Sequence, residues 1–349
     1  MILKNINESK FNIDKIEYSI YELEPISSLN SKSKEMLRRD GCLFRIHFKD
    51  LGIGYSDCFS WPELGDTSLS EKVKMVQVGK MDFHIEKSFS IAKTDAFYRF
   101  NRENAFKKLC LIKNHFTCVN FNLLTTNFIE NLRKEGFEYI KLKCGFNLEK
   151  EASFLKKIVP ILKICNIKVR LDFNGSCSFD GMYQFLQSLD KNLSVISFIE
   201  DPFKNINNEW MQIKQFFPDL GIALDRTNNN SDYCNKNEAY DYLILKPAIQ
   251  NHDEILNCKH YNIERKKILF TSYMDHPLGQ LSALYEASEY YNSNHNNTQI
   301  CGFLTHDLYK KNSYSERIKV NFSQIVPPQE GFGFGFDDLL ENENWRKIW

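Results

Sequence analysis

A parallel α/β barrel preceded by a smaller α+β region is the fold class that this 349-residue sequence predicts. Two observations carry that expectation. From Phe116 onward, apolar strand-like runs alternate with helix-patterned segments, and such alternation needs parallel strands joined by helical crossovers. Five of the runs also end in a charged residue: Tyr139-Ile-Lys141-Leu-Lys143, Val169-Arg-Leu-Asp172-Phe-Asn174, Ser197-Phe-Ile-Glu200-Asp-Pro202, Ile222-Ala-Leu-Asp225-Arg226 and Tyr242-Leu-Ile-Leu-Lys246-Pro247. Counted from Lys143, the steps to Asp172, Glu200, Asp225 and Lys246 are 29, 28, 25 and 21 residues. Each step is about one strand–helix unit, so a closed barrel would gather all five charges at the mouth where such folds keep their chemistry.

The elements follow in order. Residues 1–112 form the α+β domain. Cys42–Phe48 and Ile53–Asp57 read as paired strands around the Asp50-Leu-Gly52 turn. Helices are expected over Glu71–Val78 and Asp95–Leu109, and the small polar stretch Ser27–Lys34 reads as a mobile loop. Residues 113–312 form the barrel. Its first strand is expected over Thr117–Leu123 and its first helix over Phe128–Lys134. Phe154, Ile158, Ile161 and Leu162 share one face of a helix over Leu148–Ile164. Helices over Phe179–Leu189 and Trp210–Phe217 separate the Asp172, Glu200 and Asp225 strands, and an Asn-rich polar link precedes the Lys246 strand. Ile268–Ser272 and Gln299–Leu304 supply the last strands, with a helix over Leu278–Tyr291 between them. The tail, residues 313–349, is irregular and should pack back on the first domain.

Composition excludes several function classes. Hydrophobic residues make up 42% and charged residues 26%, as in ordinary globular proteins. Lys+Arg and Asp+Glu balance at 45 each, so no net field favours nucleic acid or an anionic membrane. The first residues lack an apolar signal core, and charges interrupt each apolar stretch short of a membrane span. The ten cysteines form no C-x-x-C pair and read as reduced packing residues. A cytoplasmic location, without membrane or nucleic-acid partners, is the expectation, as a monomer or weak homo-oligomer acting on a small-molecule carboxylate.

Lysines two apart on a strand share a face, so Lys141 and Lys143 both point into the barrel while Leu142 faces the helices. Lys-x-Lys also occurs at Lys32/Lys34 and Lys72/Lys74, so position, not spacing, distinguishes the pair. Asp172, Glu200 and Asp225 end three successive strands. Crowded carboxylates raise one another's pKa values, and a divalent cation removes the conflict. An all-oxygen donor set suits Mg²⁺. The competing reading makes each acid a cap for the following helix. Lys246, before Pro247, would face Lys143 across the mouth. Such a set suits removal of a proton from carbon next to a carboxylate, with a cation stabilising the enediolate and a lysine taking the proton.

The ordered set Lys-x-Lys, Asp-x-Asn, Glu-x-Pro, Asp and Lys-Pro resembles the enolase superfamily, in its muconate-lactonizing-like branch, whose sites pair a Lys or His base with Mg²⁺. Within that branch, Gly52-Ile-Gly-Tyr-Ser-Asp-Cys-Phe-Ser-Trp61-Pro-Glu-Leu-Gly-Asp66 and Thr271-Ser-Tyr-Met-Asp-His276-Pro-Leu-Gly-Gln280 are similar to the o-succinylbenzoate synthase family. The resemblance implies a modified TIM barrel, (β/α)7β, under a capping domain built from residues 1–112 and completed by the tail. It implies syn dehydration of 2-succinyl-6-hydroxy-2,4-cyclohexadiene-1-carboxylate to 2-succinylbenzoate in menaquinone biosynthesis. Lys143 would then abstract the proton, Lys141 support the enediolate and Lys246 lie over the opposite ring face. Asp172, Glu200 and Asp225 would hold Mg²⁺, with Asn174 behind them. Arg170, two residues before Asp172, could meet the substrate, and Ser272 and Gly302 could take the succinyl carboxylate through backbone N–H groups. An N-acylamino acid racemase or dipeptide epimerase is the alternative in the same superfamily, and a non-catalytic barrel scaffold a remoter one. Asp201 and Arg226-Thr227 depart from the residues commoner beside the ligands, which bears on substrate detail more than on the metal.

Overall fold

The computed structural model describes residues 11–29, 38–204, 208–225, 239–251, 255, 266–294 and 298–349. Most of the expected 27–34 loop, and the Asn-rich link with Arg226 and Thr227, lie outside them.

The N-terminal region is an antiparallel sheet of β1 (Ile13–Leu23), β2 (Arg39–Phe48) and β3 (Gly52–Phe59), with the C-terminal Arg346–Lys347 added at the free edge of β1. The expected turn is present, with Gly52 at φ 76°, a conformation that glycine adopts without cost. β1 escapes an apolar-run reading because Asp14, Lys15, Glu17 and Glu22 interrupt it. Glu17 is matched on its own strand by Lys15 at 2.7 Å and across the sheet by Arg45 at 2.7 Å and His47 at 2.9 Å.

Two helices cover the sheet. α1 (Leu69–Gln77) starts at a Ser68–Glu71 capping box, which satisfies two orphan N–H groups reciprocally. α2 (Phe83–Phe100) replaces the helix expected over Asp95–Leu109. Asp82 caps its start by accepting from Ile85 N at 2.8 Å. It stops at Asn101, whose side chain bonds back to Phe97 O, and Arg102 turns to φ 54°. Phe44, Ile46, Val76 and Phe89 form the core between sheet and helices.

Seven parallel strands follow in sequential spatial order. They are β4 (Phe116–Cys118), β5 (Tyr139–Lys143), β6 (Lys168–Asp172), β7 (Ile196–Glu200), β8 (Gly221–Leu224), β9 (Tyr242–Leu245) and β10 (Lys267–Phe270). The intervening helices are α3 (Thr126–Lys134), α4 (Leu148–Ile164), α5 (Phe179–Leu189) and α6 (Asn208–Phe216), with α7 (Pro277–Ser293) after β10. Ala152, Leu155, Ile158, Val159 and Leu162 are the buried stripe of α4, so Phe154 and Ile161 sit at its margin. β4 is shorter than expected, because the Asn120 side chain accepts from Asn122 N and turns the chain into a 3₁₀ segment.

The expected strand over Gln299–Leu304 reduces to two bridges. Cys301 pairs with Asn114 beside β4, and Gly302 pairs with Thr271 beside β10. Four backbone bonds of 2.8–3.2 Å (His115 N to Cys301 O, Cys301 N to Lys113 O, Gly302 N to Phe270 O and Ser272 N to Gly302 O) thereby close the ring. The Gly331–Phe336 run packs on α2: Asp95 Oδ1 accepts from Phe334 N at 2.7 Å, and Gly333 bonds Glu103 and Ala105.

Two predictions arise here. A Cβ at Gly54 would lie 1.9 Å from the backbone oxygen of Ala92, so Gly54→Ala must push α2 off the sheet. Thermal unfolding should show a loss of about 1–3 kcal/mol. Burial alone would raise the Glu17 carboxyl, but Arg45, Lys15 and His47 bring it down to about 2. A depressed carboxyl stabilises the fold fully above its unfolded value of 4.5 and loses that contribution as pH falls towards 2. The stability gap between wild type and Glu17→Gln, followed by denaturant titration, should therefore be full above pH 4.5 and close towards pH 2.

Candidate active site

Strand register brings the predicted charges together. Lys143 pairs with Asp172, Asp172 with Glu200, and Glu200 with Ala223, two residues before Asp225. Lys141, Lys143, Asp172, Glu200 and Asp225 are buried and Lys246 is nearly so. Lys141 Nζ lies 2.7 Å from Glu200 Oε1 and 2.9 Å from Asp172 Oδ2, while Lys143 Nζ lies 2.6 Å from the same Asp172 oxygen. Lys246 is ion-paired with Asp225. The capping alternative fails for Asp172, because Ser178 caps the helix that follows it, α5.

Burial works against every charge here, so the pKa directions report which neighbours win. Burial alone would raise Asp172, yet the Lys141 and Lys143 ammonium groups hold it far below the usual carboxylate range. Glu200 is pushed up to about 8 by burial and by the Asp172 charge, against the pull of Lys141. Asp201 rises to about 7 through burial and its neighbour Asp225. Burial alone would raise Asp225, but Lys246 and Lys141 hold it low. Burial tends to depress Lys141, but Asp172, Glu200 and Asp225 raise it well above an ordinary lysine.

Glu200 Oε2 and Asp225 Oδ1 are buried without a hydrogen-bond partner. Three carboxylates, two of them with an orphaned oxygen, fit a hard divalent cation. As the side chains stand, no three such groups among the described residues form a ready cation cluster, because one oxygen of each acid is bonded to a lysine instead. Asn174 sits behind Asp172: its backbone N–H donates to Asp172 Oδ1 at 3.1 Å, and it takes φ 49°. Asp201 accepts from Asp225 N at 3.0 Å and so orients the third acid.

A cavity of about 480 Å³ opens over this cluster. Lys141, Lys143, Asn174, Asp225, Lys246, Ser272 and Gly302 line it. Arg170 does not; it lies behind His115, a lining residue that the sequence reading missed. The Ser272 and Gly302 N–H groups, expected to meet a carboxylate, are engaged in closing the barrel. His115 was findable, since it shares inward parity with Thr117 two residues later, and Thr117 pairs with Lys141.

The N-terminal region supplies the roof. Trp61, Glu63, Leu64 and Gly65 line the cavity, and Trp61 Nε1 donates to Tyr273 O at 2.9 Å. Tyr273 Oη donates to Asp66 at 2.5 Å, and the Arg39 guanidinium stacks 4.5 Å from the Trp61 ring. His276 is a packing residue: its Nδ1 accepts from Leu278 N, and its ring lies against Tyr21 and Tyr314.

Comparison with known proteins agrees with this geometry. The sequence model of the family described as "O-succinylbenzoate synthase, N-terminal domain" matches residues 16–98. An o-succinylbenzoate synthase of Bdellovibrio bacteriovorus is 32% identical over 337 residues, covering 96% of this chain and 98% of that protein. The chain belongs to the o-succinylbenzoate synthase family. Among solved structures, a dipeptide epimerase from Cytophaga hutchinsonii, complexed with Mg and the dipeptide D-Ala-L-Val, superposes with TM-score 0.74 at 17% identity over 97% of this chain and all of that one. A muconate lactonizing enzyme from Pseudomonas fluorescens, complexed with muconolactone, gives 0.73 at 14% identity over 93% of this chain and 95% of that one. Those likenesses establish the capped, modified-barrel architecture of the enolase superfamily. No helix among the described residues is long and apolar enough to cross a membrane.

The family's two distinguishing stretches touch each other here, through Trp61–Tyr273, Asp66–Tyr273 and the His276 N–H, which donates to Asp57 Oδ2 at 3.1 Å. Trp61→Ala should therefore lower stability by about 3–5 kcal/mol through a cavity at this interface. Trp61→Phe should lose only about 1 kcal/mol with the N–H, and thermal unfolding of the two variants separates packing from hydrogen bonding.

Proposed function

We propose that this chain is an o-succinylbenzoate synthase, a lyase that eliminates water from 2-succinyl-6-hydroxy-2,4-cyclohexadiene-1-carboxylate to give 2-succinylbenzoate for menaquinone synthesis. The observation that carries the reading is similarity to one such enzyme over 96% of this chain, together with the intact strand-end series. In that series Lys141, Lys143, Asp225 and Lys246 line one cavity, and Asp172 and Glu200 are ion-paired with Lys141. Residues 1–112 and the tail form the cap, and residues 113–312 hold the site.

Asp172, Glu200 and Asp225 would hold Mg²⁺, with Asn174 and Asp201 bracing the first and third of them. Mg²⁺ supplies Lewis-acid stabilisation of negative charge on the substrate carboxylate. Lys143, as the free amine, removes the proton from the carbon bearing that carboxylate, and the C–H electron pair moves into the enediolate. Lys141, beside Lys143 on β5, keeps a positive charge next to those oxygens. The electron pair then returns to form the ring double bond as the C–O bond breaks. Lys143 delivers its new proton to the departing hydroxyl on the same face, so water leaves and the amine is restored. Lys246 presents its ammonium to the opposite face, and the Trp61–Gly65 roof excludes bulk water.

A dipeptide or N-acylamino acid epimerase is the second reading. It is favoured by Lys143 and Lys246 both reaching the cavity, which would place a base on each face. Absorbance on adding the cyclohexadiene, with and without Mg²⁺, decides between them. Wild type should turn it over only with Mg²⁺, and Lys143→Ala should lose about three orders of magnitude or more in kcat. Asp225→Asn should weaken Mg²⁺ binding at least about tenfold by calorimetry. Metal-independent turnover, or an unimpaired Lys143→Ala enzyme, overturns the mechanism; activity on acylated amino acids alone promotes the second reading.

A further inference from the structure

The cavity floor carries a hydrogen-bond donor whose direction is fixed from behind. His115 is 3% exposed and lines the cavity. Arg170 Nη1 donates to its Nδ1 at 2.9 Å and lies 2.8 Å from Ile300 O. A guanidinium can only donate, so Nδ1 carries the lone pair and the imidazole proton sits on Nε2. No hydrogen-bond partner meets Nε2 among the described residues. The Nε2 edge faces Gly302, where a Cβ would lie 2.6 Å from Cε1 and 2.8 Å from Nε2. Glycine at 302 is what gives the ring its room.

Arg170 is itself unusual. It is 3% exposed, lies 4.4 Å from the Tyr139 ring and 5.0 Å from the Phe198 ring, and contacts no carboxylate among the described residues. Aromatic faces and a carbonyl compensate a buried guanidinium only in part. The floor therefore presents an N–H backed by an unmatched positive charge, and the chemistry that completes it is an anionic oxygen. Depth selects which one. Thr117 is level with Lys141, and His115 lies two residues nearer the strand's start, below the lysines and acids that handle the reacting carbon. The end of a side chain reaches that depth; the ring carboxylate, held at the mouth, does not.

We propose that His115 Nε2–H binds the aliphatic carboxylate of the substrate's succinyl chain, with Arg170 as the positioning residue that fixes the imidazole tautomer and supplies the counter-charge. This assignment rests on the dehydratase reading above and makes His115, not the Ser272 or Gly302 backbone, the specificity determinant for the second carboxylate.

Calorimetry in Mg²⁺ with 2-succinylbenzoate and its aliphatic monomethyl ester tests it. Wild type should prefer the diacid about tenfold or more, the value of one charge-assisted hydrogen bond. His115→Phe should bind diacid and ester alike, with ester affinity close to wild type, and should raise KM for the diene while kcat changes little. His115→Asn, which keeps an N–H, should recover part of the preference, and Arg170→Met should lose it. Equal losses for both ligands in His115→Phe, or an undiminished diacid preference, overturn the assignment, and His115→Asn decides by the same comparison should the Phe variant not fold. Absence of diene turnover in wild type sinks the dehydratase reading and this assignment with it, whereas intact turnover with diacid preference retained in His115→Phe overturns His115 alone.

Discussion

The Lys141 ammonium lies between Asp172 Oδ2 at 2.9 Å and Glu200 Oε1 at 2.7 Å, and all three groups are buried. Ionised carboxylates at the ends of adjacent strands repel, and removal from water penalises each of them separately. Positive charge among them is therefore a condition of folding as well as of catalysis. The strand register meets that condition without long-range adjustment, because Lys143 is opposite Asp172 and Asp172 opposite Glu200. A one-residue slip would turn the lysines outward and leave the acids buried without partners.

The same constraint explains the roof. Ion pairs are strong where water is scarce, and the N-terminal region keeps water scarce by placing Trp61–Gly65 over the mouth. That loop is tied to the barrel by neutral and charged hydrogen bonds of Trp61 and Tyr273 and to its own domain by Arg39, which meets Glu63 at 2.6 Å. The joint is apolar as well as polar, since Leu23, Phe59 and Trp61 pack with Tyr273, Leu308 and Tyr309 around those bonds.

Much of this was legible from the sequence because charge at a strand end is rare and ordered charge rarer. Period-2 parity placed Lys141 and Lys143 on one face, and step length placed the acids at one end of the barrel. Misreadings arose where local side-chain bonds override apolar pattern. Asp82 starts α2 well before the periodicity is plain, Asn120 cuts β4 short, and the pairing of Glu17 with Arg45 and His47 makes a strand of residues too polar to read as one. The third kind of miss is positional. Arg170 has the parity of a substrate contact, yet the Tyr139 and Phe198 rings take its guanidinium, and His115 occupies the surface in its place. Parity states which face a side chain leaves from, whereas its reach depends on the neighbours that fill the intervening space.

Closure of the barrel and the shape of its floor are one feature. A regular eighth strand would alternate side chains into the interior and fill it, as packed barrels do. Here the chain makes ladder bridges to its neighbours at Cys301 and Gly302. Backbone bonds on both sides, to Lys113 and His115 and to Phe270 and Ser272, satisfy the ring. The inward position is a glycine, so the bonds that complete the sheet bring no side chain with them. The His115 ring occupies that space edge-on, with its back to Arg170 and its free nitrogen towards the cavity. Any larger residue at 302 would have to displace either the imidazole or the bridge, which makes the economy of this one strand the reason that the barrel has a usable interior at all.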